Sequence, residues 1–325
     1  MTEHAVVFTA LERAELLPAE RDATPLGARE VAGRTLATLV SAGTELAGAY
    51  LGSRFPAHSG YAAVFRVEEA GEAVEDLRAG DLAFCMGPHR SFQRVERDRA
   101  LPVPNGLSAA DASFARLMGV SMSTLTTTAA RPPAKVIVTG LGLVGHLAAQ
   151  IFRACGYEVT ACDPSPARRE IALQAGLPAV LPGVPLDDPA YVDQVSLVLE
   201  CSGHEQAVLD ACRVVRKKGE VALIGAPWRR QTEISAQEVL HAVFFRYVVL
   251  RSGWEWELPL QPLEFRENSI FGNYEAALRW LAEGRVTVGD LYTLTSPRDA
   301  QRAYQDLLHG RAQRLAVVFD WAELE

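Results

Sequence analysis

Three glycines, Gly140, Gly142 and Gly145, end the run Lys-Val-Ile-Val-Thr-Gly-Leu-Gly-Leu-Val-Gly at residues 135–145. The β-branched residues before them predict a strand, and the apolar residues after them recur with the period of a helix. Gly140 permits a tight turn, Gly142 lets a ligand approach the backbone, and Gly145 lets the helix lie close to the strand. The run therefore predicts the first strand-turn-helix unit of a parallel sheet.

The chain after residue 135 alternates short β-branched runs with helical patterns, which is typical of an α/β fold with helices on both faces of a doubly wound parallel sheet. The predicted strands cover residues 136–139, 158–162, 179–181, 196–200, 221–224 and 247–251. Apolar residues from Val144 to Cys155 follow the helical period, and Gly156 is expected to end this first crossover helix.

The residues before position 110 have a different pattern, in which short β-like runs are interrupted by Gly and Pro. The predicted strands here cover residues 5–8, 35–40, 62–67 and 82–86. The tail from Tyr274 predicts one amphipathic helix, a second helix at residues 300–308 and a strand at residues 315–319. We expect this tail to return to the N-terminal domain.

Composition excludes several classes of function. The net charge of −8 disfavours binding to nucleic acid or to anionic membranes, because both require a basic surface. The chain has no signal-like start and no membrane-length apolar run, which predicts a cytoplasmic protein. The 5 cysteines are an odd number without a C-x-x-C pair, so neither a disulfide framework nor a cysteine-rich zinc lobe is expected. A small-molecule substrate is the favoured partner.

The predicted helix after the glycines offers a site for a diphosphate. Its first N–H groups, those of Leu143 and Val144 among them, and its positive dipole end favour an anion. Asp163 ends the next predicted strand, 18 residues after Gly145. A carboxylate there accepts hydrogen bonds from an adenosine ribose and repels a 2′-phosphate, which favours NAD over NADP. Arg168 lies just downstream and binds such a phosphate if it turns inward, so NADP stays the less favoured alternative.

Two later loops are expected at the same ligand site, because ligands of open parallel sheets bind outside the carboxyl ends of the strands. Cys201, Ser202 and Gly203 follow the fourth predicted strand, and Gly225 and Ala226 follow the fifth. We predict that both loops line the nicotinamide half of the cofactor. The alternative is that each is only a turn between a strand and a helix.

Several motifs extend along nearly the whole chain. They are Val-Ser-Ala-Gly-Thr-Glu at residues 40–45, Gly-Tyr-Ala at residues 60–62, the Gly80-Asp81 turn, the glycine run, and Glu-Cys-Ser-Gly at residues 200–203. With these motifs the chain resembles the medium-chain dehydrogenase/reductase superfamily, the zinc-type alcohol dehydrogenases and their relatives. The resemblance implies a GroES-like β domain of residues 1–113 and 263–325 and a Rossmann domain of residues 114–262. It also implies a homodimer or homotetramer, with residues 247–251 as the strand that pairs across a dimer axis.

The zinc ligands of that superfamily are missing. Zinc members carry Cys-Gly-Ser/Thr-Asp and Gly-His-Glu motifs, and Ala42 and Tyr61 stand here in place of the two ligands. The third ligand has no counterpart in residues 114–124, and the four-cysteine structural lobe is absent. Since a catalytic zinc requires three protein ligands and a structural zinc four, we predict a zinc-free member.

Another group must then manage the proton that accompanies hydride transfer. The resemblance places Thr44 at the family's relay hydroxyl and Tyr61 at the ligand histidine, so we predict that the phenol donates or accepts this proton. Glu45 is expected to orient the network, and His58 or His89 to carry the proton to solvent. The alternatives are that Thr44 and Glu45 only hold a turn and that Tyr61 only fills the volume left by the lost metal site. His89 is then a loop histidine without a role in catalysis.

We therefore predict a zinc-independent, NAD(H)-dependent oxidoreductase that interconverts a secondary alcohol or polyol and a ketone. One alternative is an NAD(P)H-dependent enone or quinone reductase, which also works without a metal. The other is a catalytically silent dinucleotide-binding protein that kept the fold and lost the chemistry. The sequence does not name the substrate, because the pocket of this family is built from scattered loop side chains.

Overall fold

The computed structural model describes residues 3–324. The chain forms two compact units. One consists of the residues up to Arg116, Tyr274–Gly284 and the residues from Val288 onward; the other consists of Leu117–Asn273 and Arg285–Thr287.

The strands and helices follow one another along the chain. The strands are β1 (Glu3–Ala10), β2 (Arg13–Ala19), β3 (Glu30–Leu39), β4 (Ala57–His58), β5 (Ala63–Ala70), β6 (Leu82–Cys85), β7 (Phe92–Glu96), β8 (Ala100–Pro102), β9 (Lys135–Thr139), β10 (Glu158–Cys162), β11 (Val180–Leu181), β12 (Val195–Glu200), β13 (Val215–Leu223), β14 (Val249–Ser252), β15 (Tyr292–Thr295) and β16 (Ala316–Asp320). The α-helices are α1 (Ala42–Glu45), α2 (Ala109–Ala112), α3 (Ala115–Thr127), α4 (Leu143–Ala154), α5 (Pro166–Gln174), α6 (Glu205–Val214), α7 (Ala236–Arg246), α8 (Ile270–Ala282) and α9 (Ala300–Leu308). A π-helical turn, Leu46–Tyr50, continues α1.

The first unit is built on mainly antiparallel sheets. One sheet has the order β15-β16-β3-β5-β6-β8, with β7 also paired to β3, and another has the order β2-β1-β4. A buried cluster that includes Phe8, Tyr50, Tyr304 and Phe319 joins N-terminal strands to the C-terminal helix and strand. The C-terminal helix and strand therefore pack against the N-terminal strands. The sequence does not predict strands β2, β4, β7, β8 and β15, because they are short or because charged and apolar residues do not alternate regularly along them.

The second unit contains a parallel sheet in the order β11-β10-β9-β12-β13-β14. The strand order reverses between β9 and β12, which is where open α/β sheets bind ligands. The predicted doubly wound α/β class is confirmed. Gly156 follows the end of α4 with a φ of +85°, as expected for a helix-ending glycine.

The last predicted strand of this sheet begins later than expected. Tyr247 has a φ of 54° and forms the left-handed C-cap of α7. The strand β14 starts only at Val249, because the chain must first leave the helix. Within residues 3–324, no helix is both long enough and apolar enough to cross a membrane.

Candidate active site

The glycine run forms a backbone cradle at the start of α4. Gly140 has a φ of +82°, a conformation that favours glycine. A Cβ on Gly145 would lie 1.8 Å from the carbonyl oxygen of Gly140, so the helix and the turn are in direct backbone contact. A Cβ on Gly142 would meet no atom within 4 Å. The space in front of Gly142 is therefore open, and the partly exposed Leu143 and Val144 begin the helix beside it.

This cradle fits a dinucleotide. The first N–H groups of a helix lack partners within the helix, and the helix dipole adds positive potential there. The backbone at Gly142 leaves room for a diphosphate, and Leu143 and Val144 are in the first turn of a 12-residue helix. Gly142, Leu143 and Val144 are the residues that would hold the diphosphate here.

Asp163 connects the end of β10 to the glycine turn. Its side chain is buried, and Oδ2 accepts a hydrogen bond of 2.7 Å from the N–H of Leu141. Oδ1 accepts a bond of 2.8 Å from the N–H of Ser165. Arg168, which is exposed, approaches Oδ2 to 3.4 Å. The carboxylate is thus fixed next to the cradle, where the sequence predicts a ribose-binding group.

Glu200 begins the Glu-Cys-Ser-Gly loop of this site, but the sequence alone predicts no role for its carboxylate. Its buried carboxylate accepts hydrogen bonds from the N–H groups of Ser202, at 2.8 Å, and Gly203, at 3.0 Å. The hydroxyls of Ser202 and Thr139 also donate to it. Burial raises the pKa of Glu200 although these hydrogen bonds oppose the shift. Its place in the Glu-Cys-Ser-Gly motif was the available signal.

The predicted loops after β12 and β13 pack against each other through their backbones. A Cβ on Gly225 would lie 2.4 Å from the nitrogen of Gly203, and a Cβ on Gly203 would lie 2.7 Å from the carbonyl oxygen of Ala226. A Cβ on Gly140 would lie 2.8 Å from the nitrogen of Ser202. Burial raises the pKa of the neighbouring Cys201 thiol well above its usual value, so this group is no thiolate nucleophile. The loops therefore surround the cradle at the carboxyl ends of the strands.

In the first unit, Glu45 is the centre of a buried hydrogen-bond network. Its Oε2 accepts bonds from Ser59 Oγ at 2.7 Å, Tyr304 OH at 2.6 Å and His89 Nε2 at 3.0 Å. Its Oε1 accepts a bond of 2.7 Å from the N–H of Ser41. Burial by itself raises the pKa of Glu45, but the charge of His89 and the hydrogen bonds outweigh it, so the pKa lies below its usual value.

The two predicted histidines occupy different environments. His89 is buried, and its Nδ1 lies 2.7 Å from the hydroxyl of Thr38, which also accepts a bond of 2.9 Å from Trp321 Nε1. His58 is exposed and lies on β4, where it pairs with Val7 of β1. His89 therefore belongs to the Glu45 network and has no direct access to solvent.

Tyr61 belongs to a second group of hydroxyls. Its phenol donates a short hydrogen bond to Ser41 Oγ and also contacts the exposed hydroxyl of Thr44. The guanidinium carbon of Arg116 lies 4.7 Å from the centre of the Tyr61 ring. Burial raises the pKa of Tyr61, while the hydrogen bonds that the phenol makes with Ser41 and Thr44 and the charge of Arg116 act in the opposite direction. The phenol is therefore a neutral hydrogen-bond donor at neutral pH.

These side chains do not fit a zinc ion. Zinc in proteins is bound by thiolate, imidazole or carboxylate groups, whereas the groups around the Tyr61 phenol are hydroxyls. Glu45, the carboxylate whose charge acts on Tyr61, already accepts four hydrogen bonds. Among residues 3–324, no three His, Cys, Asp or Glu side chains are grouped as metal ligands.

Comparisons with known proteins match parts of this chain to dehydrogenases. A family profile described as zinc-binding dehydrogenase matches residues 144–255, and one described as the C-terminal domain of alanine dehydrogenase/PNT matches residues 107–180. An alcohol dehydrogenase from Geobacillus stearothermophilus is 24% identical over 216 residues, which cover 54% of this chain and 62% of that protein. The chain thus spans less than two thirds of the length of this curated relative.

Solved structures share the fold over almost the whole chain. Galactitol-1-phosphate dehydrogenase from Escherichia coli superposes with a TM-score of 0.80 at 18% identity, over 98% of this chain and 99% of that one. Acetophenone reductase from Geotrichum candidum, solved in complex with NAD, superposes with a TM-score of 0.78 at 18% identity, over 98% of this chain and 97% of that one. The predicted resemblance, with a GroES-like and a Rossmann domain, is confirmed.

Proposed function

We propose that this chain, a member of the medium-chain dehydrogenase/reductase superfamily, is a nicotinamide-dependent oxidoreductase that interconverts a secondary alcohol or polyol and a ketone without zinc. The observation that carries the proposal is the environment of Tyr61. A phenol stands where zinc relatives have a ligand histidine, and it is hydrogen-bonded to the hydroxyls of Ser41 and Thr44. The dehydrogenases among the relatives support the alcohol or polyol class.

The residues of the glycine cradle hold the cofactor in this proposal. Gly140, Gly142 and Gly145 shape the turn, and the N–H groups of Leu143 and Val144 bind the diphosphate. The nicotinamide, when bound, supplies the hydride acceptor for oxidation and the hydride donor for reduction. The loops that contain Ser202 and Gly225 are proposed to border the nicotinamide.

Tyr61 handles the proton. In reduction, the phenol donates a hydrogen bond to the substrate carbonyl oxygen and gives up its proton as negative charge develops on that oxygen. In oxidation, the phenolate accepts the alcohol proton. Thr44 is exposed and contacts the phenol, so its hydroxyl passes the proton between Tyr61 and water. Glu45 orients Ser41, whose N–H it binds. The proposed relay therefore needs neither His58 nor His89.

NAD is the proposed cofactor. The buried carboxylate of Asp163 lies beside the cradle, and a 2′-phosphate at this place would meet a negative charge. Arg169 donates hydrogen bonds to the backbone oxygens of Asp163, at 2.8 Å, and Pro164, at 2.9 Å, so it is engaged in the turn. Arg168 is held close to the Asp163 carboxylate and is the group by which NADP would bind if the proposal is wrong.

A homodimer also remains a proposal. Strand β14 ends the strand order of the described parallel sheet, and the adjacent α7 exposes Phe244 and Phe245. Pairing of β14 with its copy would continue the sheet. Sedimentation velocity over a range of concentrations tests this, and a monomer at every concentration would refute it.

The decisive experiment compares the wild type with Tyr61→Phe on polyols, secondary alcohols, ketones and enones. We expect turnover of alcohols and ketones with NAD(H), and a loss of about 100-fold or more in kcat for Tyr61→Phe. NADH binding, followed by fluorescence, should be unchanged. Tyr157→Phe is the matched control, because Tyr157 donates its hydroxyl to the backbone of Ala130 in the second unit.

Other outcomes identify the alternatives. Turnover of enones with NADPH, without turnover of alcohols or ketones, would indicate an enone or quinone reductase. Tight NADH binding without turnover of any substrate, and without an effect of Tyr61→Phe, would indicate a silent dinucleotide-binding protein. Loss of activity on dialysis against a chelator, restored by zinc, would contradict zinc independence.

A further inference from the structure

Arg116 lies between two tyrosine rings in the first unit. Its guanidinium carbon is 4.7 Å from the centre of the Tyr61 ring and 5.5 Å from that of Tyr274, and its side chain is only 5% exposed. Tyr274 is itself fixed, because its ring packs edge-on against Phe84, with 5.5 Å between the ring centres. The guanidinium is thus a buried cation placed over the face of the proposed proton donor.

A cation over an aromatic face is attracted by the ring quadrupole. When the phenol loses its proton, this attraction becomes stronger, because the ring then carries part of a full negative charge. The effect is enhanced by burial, since little water screens the two groups. In the zinc members of the superfamily a metal supplies positive charge near the substrate oxygen. Arg116 lies within residues 114–124, the stretch where the resemblance places the third zinc ligand.

We propose that Arg116 is a positioning residue for the reaction: it holds the Tyr61 ring and stabilises its phenolate, and so supplies the positive charge that the missing metal would provide. This inference rests on the proposed function of Tyr61. Among the charges that act on the phenol, that of Glu45 has the opposite sign to that of Arg116. Glu45 opposes ionisation of Tyr61, and His89 is paired with Glu45. Arg116 is therefore the cation that acts directly on the Tyr61 ring.

The test replaces Arg116 by Met, which keeps much of the length and removes the charge, and by Lys, which keeps the charge. The first readout is independent of turnover: the ionisation of Tyr61 followed by NMR in protein labelled at tyrosine Cζ, with the resonance assigned by Tyr61→Phe. We expect Arg116→Met to raise the midpoint of the Tyr61 titration by about one pH unit and Arg116→Lys to raise it less.

A second readout is a mutant cycle on alcohol oxidation. Arg116→Met should lower kcat/KM roughly tenfold at pH 8 in the wild-type background and have no further effect when combined with Tyr61→Phe. Arg21→Met is the matched control, because Arg21 also lies over an aromatic ring, that of Phe92, with 3.9 Å to the ring centre. Arg21→Met should change neither readout.

The inference is overturned if Arg116→Met leaves the Tyr61 titration unchanged, or if its loss of activity persists in full in the Tyr61→Phe background. Should Arg116→Met not fold, Arg116→Lys is the deciding variant. A rise of the Tyr61 midpoint by less than about one pH unit supports the proposal, and a rise of about one pH unit or more contradicts it. If Tyr61→Phe proves fully active, the proposed function fails, but the NMR titration still tests the effect of Arg116 on the ring.

Discussion

His89 donates a hydrogen bond from Nε2 to Oε2 of Glu45 over 3.0 Å, and both side chains are almost completely withdrawn from solvent. A buried carboxylate destabilises the fold unless its oxygens accept hydrogen bonds. Ser59 and Tyr304 donate two further hydrogen bonds to the same oxygen of Glu45. Tyr304 is 259 residues away from Glu45 in the chain. The network therefore fastens the helix that follows Ser41 to the C-terminal helix.

Glu45→Gln should destabilise the first unit strongly. The amide removes the charge that His89 pairs with and replaces one acceptor by a donor, so we expect a loss of roughly 3–5 kcal/mol in the free energy of unfolding at pH 7. Because the folded-state pKa of Glu45 is lowered, its contribution is present above the usual carboxyl pKa and is lost as the pH falls through the folded value. The difference in the free energy of unfolding between the wild type and Glu45→Gln should therefore become smaller below about pH 4.

Denaturant unfolding at pH 7 and at about pH 3 measures this. Glu15→Gln is the control, because Glu15 is bonded to Thr9 and Arg13 near the surface, and its loss should cost no more than about 1 kcal/mol. An equal effect of both substitutions would mean that the Glu45 network does not stabilise the fold.

The glycine cradle predicts opposite effects for two neighbouring substitutions. A Cβ at Gly145 would lie 1.8 Å from a backbone oxygen, so Gly145→Ala should lower the free energy of unfolding by roughly 1–3 kcal/mol. A Cβ at Gly142 meets no protein atom within 4 Å, so Gly142→Ala should fold almost normally but weaken NADH binding by about tenfold or more. Thermal unfolding and NADH fluorescence titration separate the two effects.

Gly183→Ala serves as the control, because its Cβ also meets no atom within 4 Å and it is far from the cradle in sequence. It should change neither quantity. If Gly142→Ala binds NADH like the wild type, the diphosphate does not lie where we propose.

Much of the second unit could be predicted because its signals are local. The glycine run, its strand and its helix are continuous in sequence, and Asp163 follows at the expected distance. The Glu45 network could not be assembled from the sequence, since Thr38, Ser59, His89 and Tyr304 are brought together only by tertiary contacts between distant segments of the chain. The contact of Arg116 with Tyr61 could not be predicted for the same reason, because the two residues are far apart in the sequence and meet only in the folded chain.

Asp163 should decide between the two dinucleotides. The wild type is expected to bind NADH more tightly than NADPH, and Asp163→Asn should weaken NADH binding by about 10-fold to 100-fold, as for a lost charge-assisted hydrogen bond. NADPH binding should weaken less, because the variant also removes a repulsive charge. Parallel fluorescence titrations measure both constants, with the exposed Asp187→Asn as the control. Tighter binding of NADPH than NADH by the wild type would contradict the proposal and point to Arg168.

The pH dependence of the two directions should follow the ionisation of Tyr61. Burial raises its pKa above the usual tyrosine value of about 10, so the phenol stays protonated throughout the neutral range. Reduction needs the protonated phenol, which is present below this pKa and lost above it; its kcat/KM should be flat between about pH 6 and pH 9. Oxidation needs the phenolate, so its kcat/KM should rise by about tenfold per pH unit over the same range.

Initial rates measured by NADH absorbance test the pH dependence of both directions. Tyr61→Phe should abolish the pH dependence of oxidation together with most of the activity. A midpoint near pH 6 or 7 would instead indicate a histidine, and the exposed His58 would be the group to replace first.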